Sequence, residues 1–365
     1  MDILPFLKIM AEKNASDLYF TTNAVPSMKI EGVTAQVGHN ALPPGAVQKL
    51  AYSIMTDAQA KEFEQTLELD MAISAKDVGR FRINVFRQRG EVAMVARYIK
   101  SDIASVQKLN LPPILDELVM APRGLVLVVG TTGSGKSTTL AAMIDHRNRN
   151  KSGHILTIED PIEYLHQHQR AIVNQREVGL DTLSYANALK RAMREAPDVI
   201  MIGEIRDRET MQQALAYADT GHLCLSTLHA TNATQTLERI LNFFPESAHG
   251  QLYMDLSLNL RAIVSQRLVR GLEKKRLPAV EVMLNTPHIA DLIQKGQLHE
   301  INGAIEQGKE AGMQSFDQAL YALYKAGSIS EEEALNHADS RNDLGLRIRL
   351  GRDGGSADDG GLTLS

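Results

Sequence analysis

The run Gly130-Thr131-Thr132-Gly133-Ser134-Gly135-Lys136-Ser137 constrains this chain more than any other stretch. It has the spacing G-x(4)-G-K-[ST], follows the apolar residues 125–129, and leads through Thr138 into a helix-forming segment, 138–144. That strand–loop–helix order is the context a phosphate-binding loop requires. Its glycines let the backbone wrap closely enough for main-chain N–H groups to face a phosphate. Lys136 supplies positive charge for the β and γ oxygens, and the Ser137 hydroxyl suits Mg²⁺. A glycine-rich turn of another α/β protein would not need the lysine and hydroxyl in this order. The expected ligand is a nucleoside triphosphate, ATP or GTP.

With 365 residues, 44% hydrophobic and 23% charged, the chain has room for two or three domains and a sizeable core. A net charge of −5 argues against bulk attraction to nucleic acid. The single cysteine, Cys224, lies in an apolar stretch and reads as a small buried hydrophobe rather than half of a disulfide. Residues 1–8 are too short, too acidic and too soon interrupted for a signal peptide. No apolar run reaches the ~20 residues of a membrane span. A cytoplasmic protein is expected, without direct membrane insertion, reaching the inner membrane only through a partner.

Residues 1–100 read as a small mixed α/β domain. Strands are expected near 18–21, 27–30, 70–74, 81–86 and 92–98, and helices near 46–55 and 57–66. Residues 101–113 have few apolar residues in register and end in Pro112-Pro113, so they read as a linker. In 114–340 strand and helix alternate, the pattern of a parallel sheet with crossover helices. The expected strands are 125–129, 155–159, 199–202 and 222–227, with helices at 136–147, 184–195 and 208–219. A hairpin around 271–276 and a helical section over 287–338 follow. Residues 341–365, ending in glycine- and aspartate-rich sequence, read as a flexible tail.

Three further segments bear on the loop. Residues 155–166 form a buried strand ending in Glu159-Asp160-Pro161 and Glu163. Parallel α/β sheets place their sites beyond the carboxyl ends of strands, where a carboxylate can orient the attacking water. Glu163 is the favoured candidate for that role. Glu159 and Asp160 read equally well as caps of a following helix. Residues 198–207 are an apolar strand ending in Gly203-Glu204, where a Walker B strand usually carries aspartate; Glu204 would hold Mg²⁺ opposite Ser137. In residues 220–229, His222 and His229 do not have a metal-ligand spacing. His229 falls just past a strand's carboxyl end, within reach of a γ-phosphate, while the role of His222 is open.

Together these segments resemble the secretion ATPases of the type II and type IV pilus systems: a Walker A loop at 130–137, an acidic box at 155–166, an atypical Walker B at 198–207 and a histidine box at 220–229. The likeness covers about residues 1–340, and the short N-terminal domain is similar to the PilT/PilU retraction group. Longer assembly motors carry a tetracysteine zinc motif, which a chain with one cysteine cannot form. The resemblance implies a PAS-like N-terminal domain followed by a RecA-like ATPase domain. It also implies a homo-hexameric ring hydrolysing ATP with Mg²⁺, docked beneath a PilC-type inner-membrane platform protein. Retraction motors carry a helix motif Ala-Ile-Arg-Asn-Leu-Ile-Arg-Glu. Here residues 287–295 keep its apolar spacing and lack both arginines, which points to the PilU side of the group, accessory to a PilT-type retraction ATPase.

From Arg80 to Lys100 there are six basic residues against one acid, Glu91. A two-residue turn at Arg89-Gly90 would set Arg82 directly opposite Arg97. Like charges so paired destabilise a sheet, and an anion would relieve them. A solvated basic face is the alternative. The resemblance implies that these arginines reach the triphosphate of the adjacent subunit as arginine fingers.

Overall fold

The computed structural model describes residues 2–30, 32–273 and 275–353. Contacts group the chain into two compact units: one runs to Asp102 and includes Pro161–Gln167, and the other holds Ile103–Asp160 and the chain from His168.

The first unit is built from α1 (Leu4–Glu12), β1 (Asp17–Phe20), β2 (Ser27–Ile30), β3 (Val33–Gln36), α2 (Ala46–Tyr52), α3 (Asp57–Thr66), β4 (Glu68–Ala75), β5 (Gly79–Gln88) and β6 (Glu91–Ile99). Its antiparallel sheet has the order β3-β2-β1-β6-β5-β4. Alternate residues Phe81, Ile83 and Val85 of β5 are fully buried against Met94 and Ala96 of β6, the period-2 pattern of a sheet with one face in a core. The hairpin register is the expected one, with Arg82 opposite Arg97. Arg89 (φ 51°) and Gly90 (φ 81°) make the turn with both central residues left-handed, as a tight hairpin requires. α1 and β3 were not expected. β3 is exposed at every position and so carries no burial pattern to read.

The second unit contains α4 (Ile114–Met120), β7 (Gly124–Val129), α5 (Lys136–Asn150), β8 (Gly153–Glu159), β9 (Ala171–Glu177), α6 (Tyr185–Ala192), β10 (Val199–Ile202), α7 (Arg208–Asp219), β11 (Leu223–Leu228), α8 (Ala233–Asn242) and α9 (His249–Asn259). Then come the hairpin β12 (Leu260–Arg270) and β13 (Arg276–Leu284), and helices α10 (Pro287–Gln294), α11 (Ile301–Gln307), α12 (Phe316–Lys325), α13 (Glu331–His337) and α14 (Arg341–Asp353). The sheet order is β13-β12-β7-β11-β10-β8-β9; every pairing is parallel except β12 with β13.

Every residue of β7 is buried. Leu125, Leu127 and Val129 face one core with α6, α7 and α8, while Val126 and Val128 face the other with α4 and α5. Helices thus cover both faces of the strand that feeds the phosphate loop. Truncating Leu127 to alanine would cost about 2–5 kcal/mol.

Two expected boundaries move. Residues 101–113 are not a free linker, because Val106 and Leu111 are buried in the core beside α4. Residues 341–353, expected within the tail, form α14, anchored by buried Leu344 and Ile348 against Phe316 and Leu320. Residues 354–365 of the expected tail lie outside the described residues.

Candidate nucleotide site

β8, β10, β11 and β7 are neighbouring parallel strands, so their carboxyl ends bring Glu159-Asp160, Gly203-Glu204, His229 and Gly130 to one edge of the sheet. The loop from Gly130 to Gly135 turns through positive φ at Gly130, Gly133 and Gly135. A Cβ on Gly130 would lie 2.5 Å from the Gln266 carbonyl oxygen and 2.4 Å from Ser134 Oγ. At Gly135 it would lie 2.8 Å from Gln266 Nε2. Gly130 is therefore required by contact with the β12 backbone as well as by conformation, and Gly135 by its left-handed φ of 92°. Thr131, Thr132 and Gly133 are exposed, Ser137 and Thr138 half-buried. Lys136 opens α5 and is buried; its Nζ donates to the carbonyls of Gly130 (3.0 Å) and Thr131 (2.9 Å). Ser134 Oγ is buried without a hydrogen-bond partner. An orphaned hydroxyl and a lysine held by its own loop's carbonyls suit a cradle that receives a polar anion. A cavity of about 370 Å³ opens on residues 130–134, with Thr231, Gln266, Arg267 and Arg276 on its far wall.

Glu204 has a partner on each oxygen. His229 Nε2 is 3.1 Å from Oε1, and Arg206 Nε donates to Oε2 at 2.8 Å. Arg206 also lies 3.8 Å from Asp160. The hydrogen bond and charge of Glu204 raise the Arg206 pKa above its ordinary value. Gly203 explains the missing Walker B aspartate. A Cβ there would meet Tyr185 Oη at 2.8 Å and the Glu159 Cα at 3.2 Å, while the Gly203 amide stays bonded to the Ile158 carbonyl of β8 at 2.8 Å; this close approach favours glycine, and the acid stands one residue on. Burial, and then Asp160, push the Tyr185 phenol well above its usual range.

Glu159 is buried and accepts from Thr157 Oγ1 (2.6 Å) and Gln175 Nε2 (3.1 Å). No helix starts at Asp160 or Pro161, so the capping alternative for these acids does not hold. Glu163 is exposed and belongs to the first unit. There Lys100 bridges to Tyr164, and its main-chain carbonyl accepts from the Leu165 amide at 2.9 Å. Arg82 and Arg97 lie in that unit too. Their juxtaposition is real, but each already faces a carboxylate: Arg97 Nε is 2.9 Å from Asp17, its direct partner on β1, and Arg82 is 3.5 Å from Asp70 on β4. The repulsion expected to call for an outside anion is met within the unit. His222 precedes β11 at the end away from Glu204, with Nδ1 3.1 Å from Thr220 Oγ1 and 3.3 Å from the Tyr217 carbonyl. It has a structural place. Cys224 is fully buried, which raises its thiol pKa to about 12.

The sequence reading missed Gln266, Arg206 and Tyr185. Gln266 Oε1 accepts from Thr139 Oγ1 at 2.7 Å, yet it comes from a strand 127 residues further on, and nothing in its spacing shows that β12 runs beside β7.

The model of the type II/IV secretion system protein family matches residues 3–323. The chain belongs to that family. It is 54% identical to the type IV pilus ATPase PilU of Pseudomonas aeruginosa over 96% of this chain and 92% of the relative. It is 41% identical to the type IV pilus retraction ATPase PilT of the same organism, over 93% and 98%. A crystal structure of the pilus retraction motor PilT with bound ADP superposes with a TM-score of 0.88 at 42% identity, covering 95% of this chain and 99% of that one. The fold is that of an N-terminal mixed α/β domain followed by a RecA-like ATPase domain.

Proposed function

We propose that this chain is an ATP-hydrolysing motor of the type IV pilus, working as a homo-hexamer that assists retraction beside a PilT-type ATPase. The observation that carries the reading is the meeting of the phosphate loop with the Glu204–His229 pair at adjacent strand ends, in a chain whose relatives are pilus ATPases. Residues 130–138 hold the phosphates, with Lys136 exchanging the Gly130 and Thr131 carbonyls for phosphate oxygens. Ser137 and Glu204 are hard oxygen donors of the kind Mg²⁺ takes, and both fit that ion. Bound there, Mg²⁺ supplies charge neutralisation for the departing diphosphate.

Within the chain, His229 and Arg206 orient the Glu204 carboxylate. Glu163 is assigned to the attacking water, and Arg82 and Arg97 to a neighbouring subunit's nucleotide. A PilC-type platform at the inner membrane is the docking partner; among the described residues no helix is long and apolar enough to cross a membrane. The accessory role is supported by α10. Its Ile289, Leu292 and Ile293 are buried, while Ala290 and Gln294 stand where the retraction motif has arginine, and Asp291 pairs with Lys295 at 2.7 Å. The test is retraction in piliated cells that lack every other retraction ATPase. This chain alone should give none; retraction at ordinary frequency would make it a primary motor.

A further inference from the structure

Glu281 on β13 is 1% exposed, sealed in the second unit away from the acids already assigned. Its Oε1 accepts from the Ala233 amide at 2.7 Å and from the Ser265 hydroxyl at 2.8 Å. Ser265 is its direct partner across the β12–β13 ladder, and on its other side Ser265 pairs with Val129, the last residue before Gly130. Ala233 is the first residue of α8. Only Ala230, Thr231 and Asn232 separate it from His229.

A buried carboxylate is costly unless its hydrogen bonds are met, and an apolar residue would fill the same space more cheaply. What an apolar residue could not do is hold the end of α8. Asn232 caps the helix locally, accepting from the Gln235 amide at 2.9 Å, but that bond fixes the first turn only to itself. The bond from Ala233 to Glu281 fixes it to the sheet, in the ladder row beneath the phosphate loop. Arg267 adds a weaker tie, donating to the Thr231 carbonyl at 3.5 Å while pairing with Asp339 at 2.7 Å.

We infer that Glu281 is a positioning residue for hydrolysis. It pins the amino end of α8 to the strand row under Gly130, and thereby keeps His229 against Glu204. The inference rests on the assignment of Glu204 and His229 to the reaction. It does not require Glu281 to touch nucleotide.

The test uses the full-length protein and measures ATP turnover alongside the dissociation constant of a fluorescent ADP analogue. Glu281→Leu should lower kcat about ten- to a hundredfold, the scale of a misplaced group, while the dissociation constant changes less than about twofold. Glu281→Gln keeps an acceptor oxygen for both donors and should restore kcat to within about twofold of wild type. In a His229→Ala background, Glu281→Leu should cause no further loss. If Glu281→Leu does not fold, Ser265→Ala serves in its place: a smaller kcat loss is expected, again absent once His229 is gone. A wild-type kcat in the leucine variant, or a full additional loss in the His229→Ala background, would overturn the inference. If Glu204→Gln and His229→Ala themselves hydrolyse ATP normally, it is the underlying site assignment that fails.

Discussion

The phosphate loop and the basic hairpin of the first unit were both expected to meet a triphosphate, and the structure treats them differently. In the loop, Ser134 Oγ is buried without a partner and the glycines at both ends abut Gln266. An orphaned hydroxyl in such a loop fits an incoming polar anion. In the hairpin, Arg97 and Arg82 face Asp17 and Asp70, so the charges are balanced inside the unit. Arg97 is 68% exposed, whereas its partner Asp17 is 8% exposed. A finger role therefore asks Arg97 to leave a sheltered carboxylate, whereas Lys136 donates to the neutral carbonyls of Gly130 and Thr131. A basic patch read from sequence shows where charge is, not whether it is already spent.

The sharpest way to break this contrast is Lys136→Ala. Turnover should fall by at least about 10²-fold, because a preorganised cation on the phosphates is lost; ordinary turnover in a steady-state assay would remove the loop from the chemistry. Glu163→Gln should also slow hydrolysis about 10²-fold while leaving nucleotide binding unchanged, read by comparing single-turnover rates with ADP-analogue affinity. Gly203→Ala should destabilise the second unit by about 1–3 kcal/mol, since the added methyl meets Tyr185 and the β8 backbone. A denaturant midpoint equal to wild type would show that a methyl fits between β10 and β8.

A comparable but pH-dependent effect follows from Glu281, whose carboxyl pKa is raised by burial from 4.5 to about 7. A raised folded-state pKa means that its stabilising contribution is full below about 4.5 and is lost as pH rises through about 7. Relative to wild type, Glu281→Gln should therefore gain in Tm between pH 5 and 8, by up to about 3 kcal/mol in stability. Melting curves whose difference stays constant over that range would contradict the burial argument. The smallest expected change is the stability of Arg82→Ala, under about 1 kcal/mol for a partly exposed ion pair. A finger role predicts in addition that Arg82→Ala lowers turnover only in assembled rings, and that mixing it with Lys136→Ala partners partially rescues activity.

Much of the fold was legible because its signals are local. The strands β7, β8, β10 and β11 are short apolar runs bounded by turns, and the register of the β5–β6 hairpin followed from alternation and a two-residue turn. β9 was missed because it is an edge strand with only Ala171, Val173 and Glu177 buried, too sparse a pattern to separate from loop. α14 was missed because, among the described residues, only Leu344 and Ile348 anchor it in the core, in a polar sequence running into glycine and aspartate. In the site, the loop, Glu204 and His229 were readable as strand-end residues. Gln266 and Glu281 were not, since their roles come from β12 lying beside β7, a pairing that no local spacing encodes.

A working hydrolytic site at the loop and the Glu204–His229 pair has a plain kinetic signature. Steady-state ATP turnover by the purified full-length chain, beside Glu204→Gln, tests it most directly. Mg²⁺-dependent turnover is expected in the wild type and a loss of at least about 10²-fold in the variant, with ADP-analogue binding retained in both. Tight nucleotide binding with no turnover by the wild-type chain, alone or mixed with a PilT-type ATPase, would contradict it and leave an ATP-bound scaffold or clutch in place of a motor.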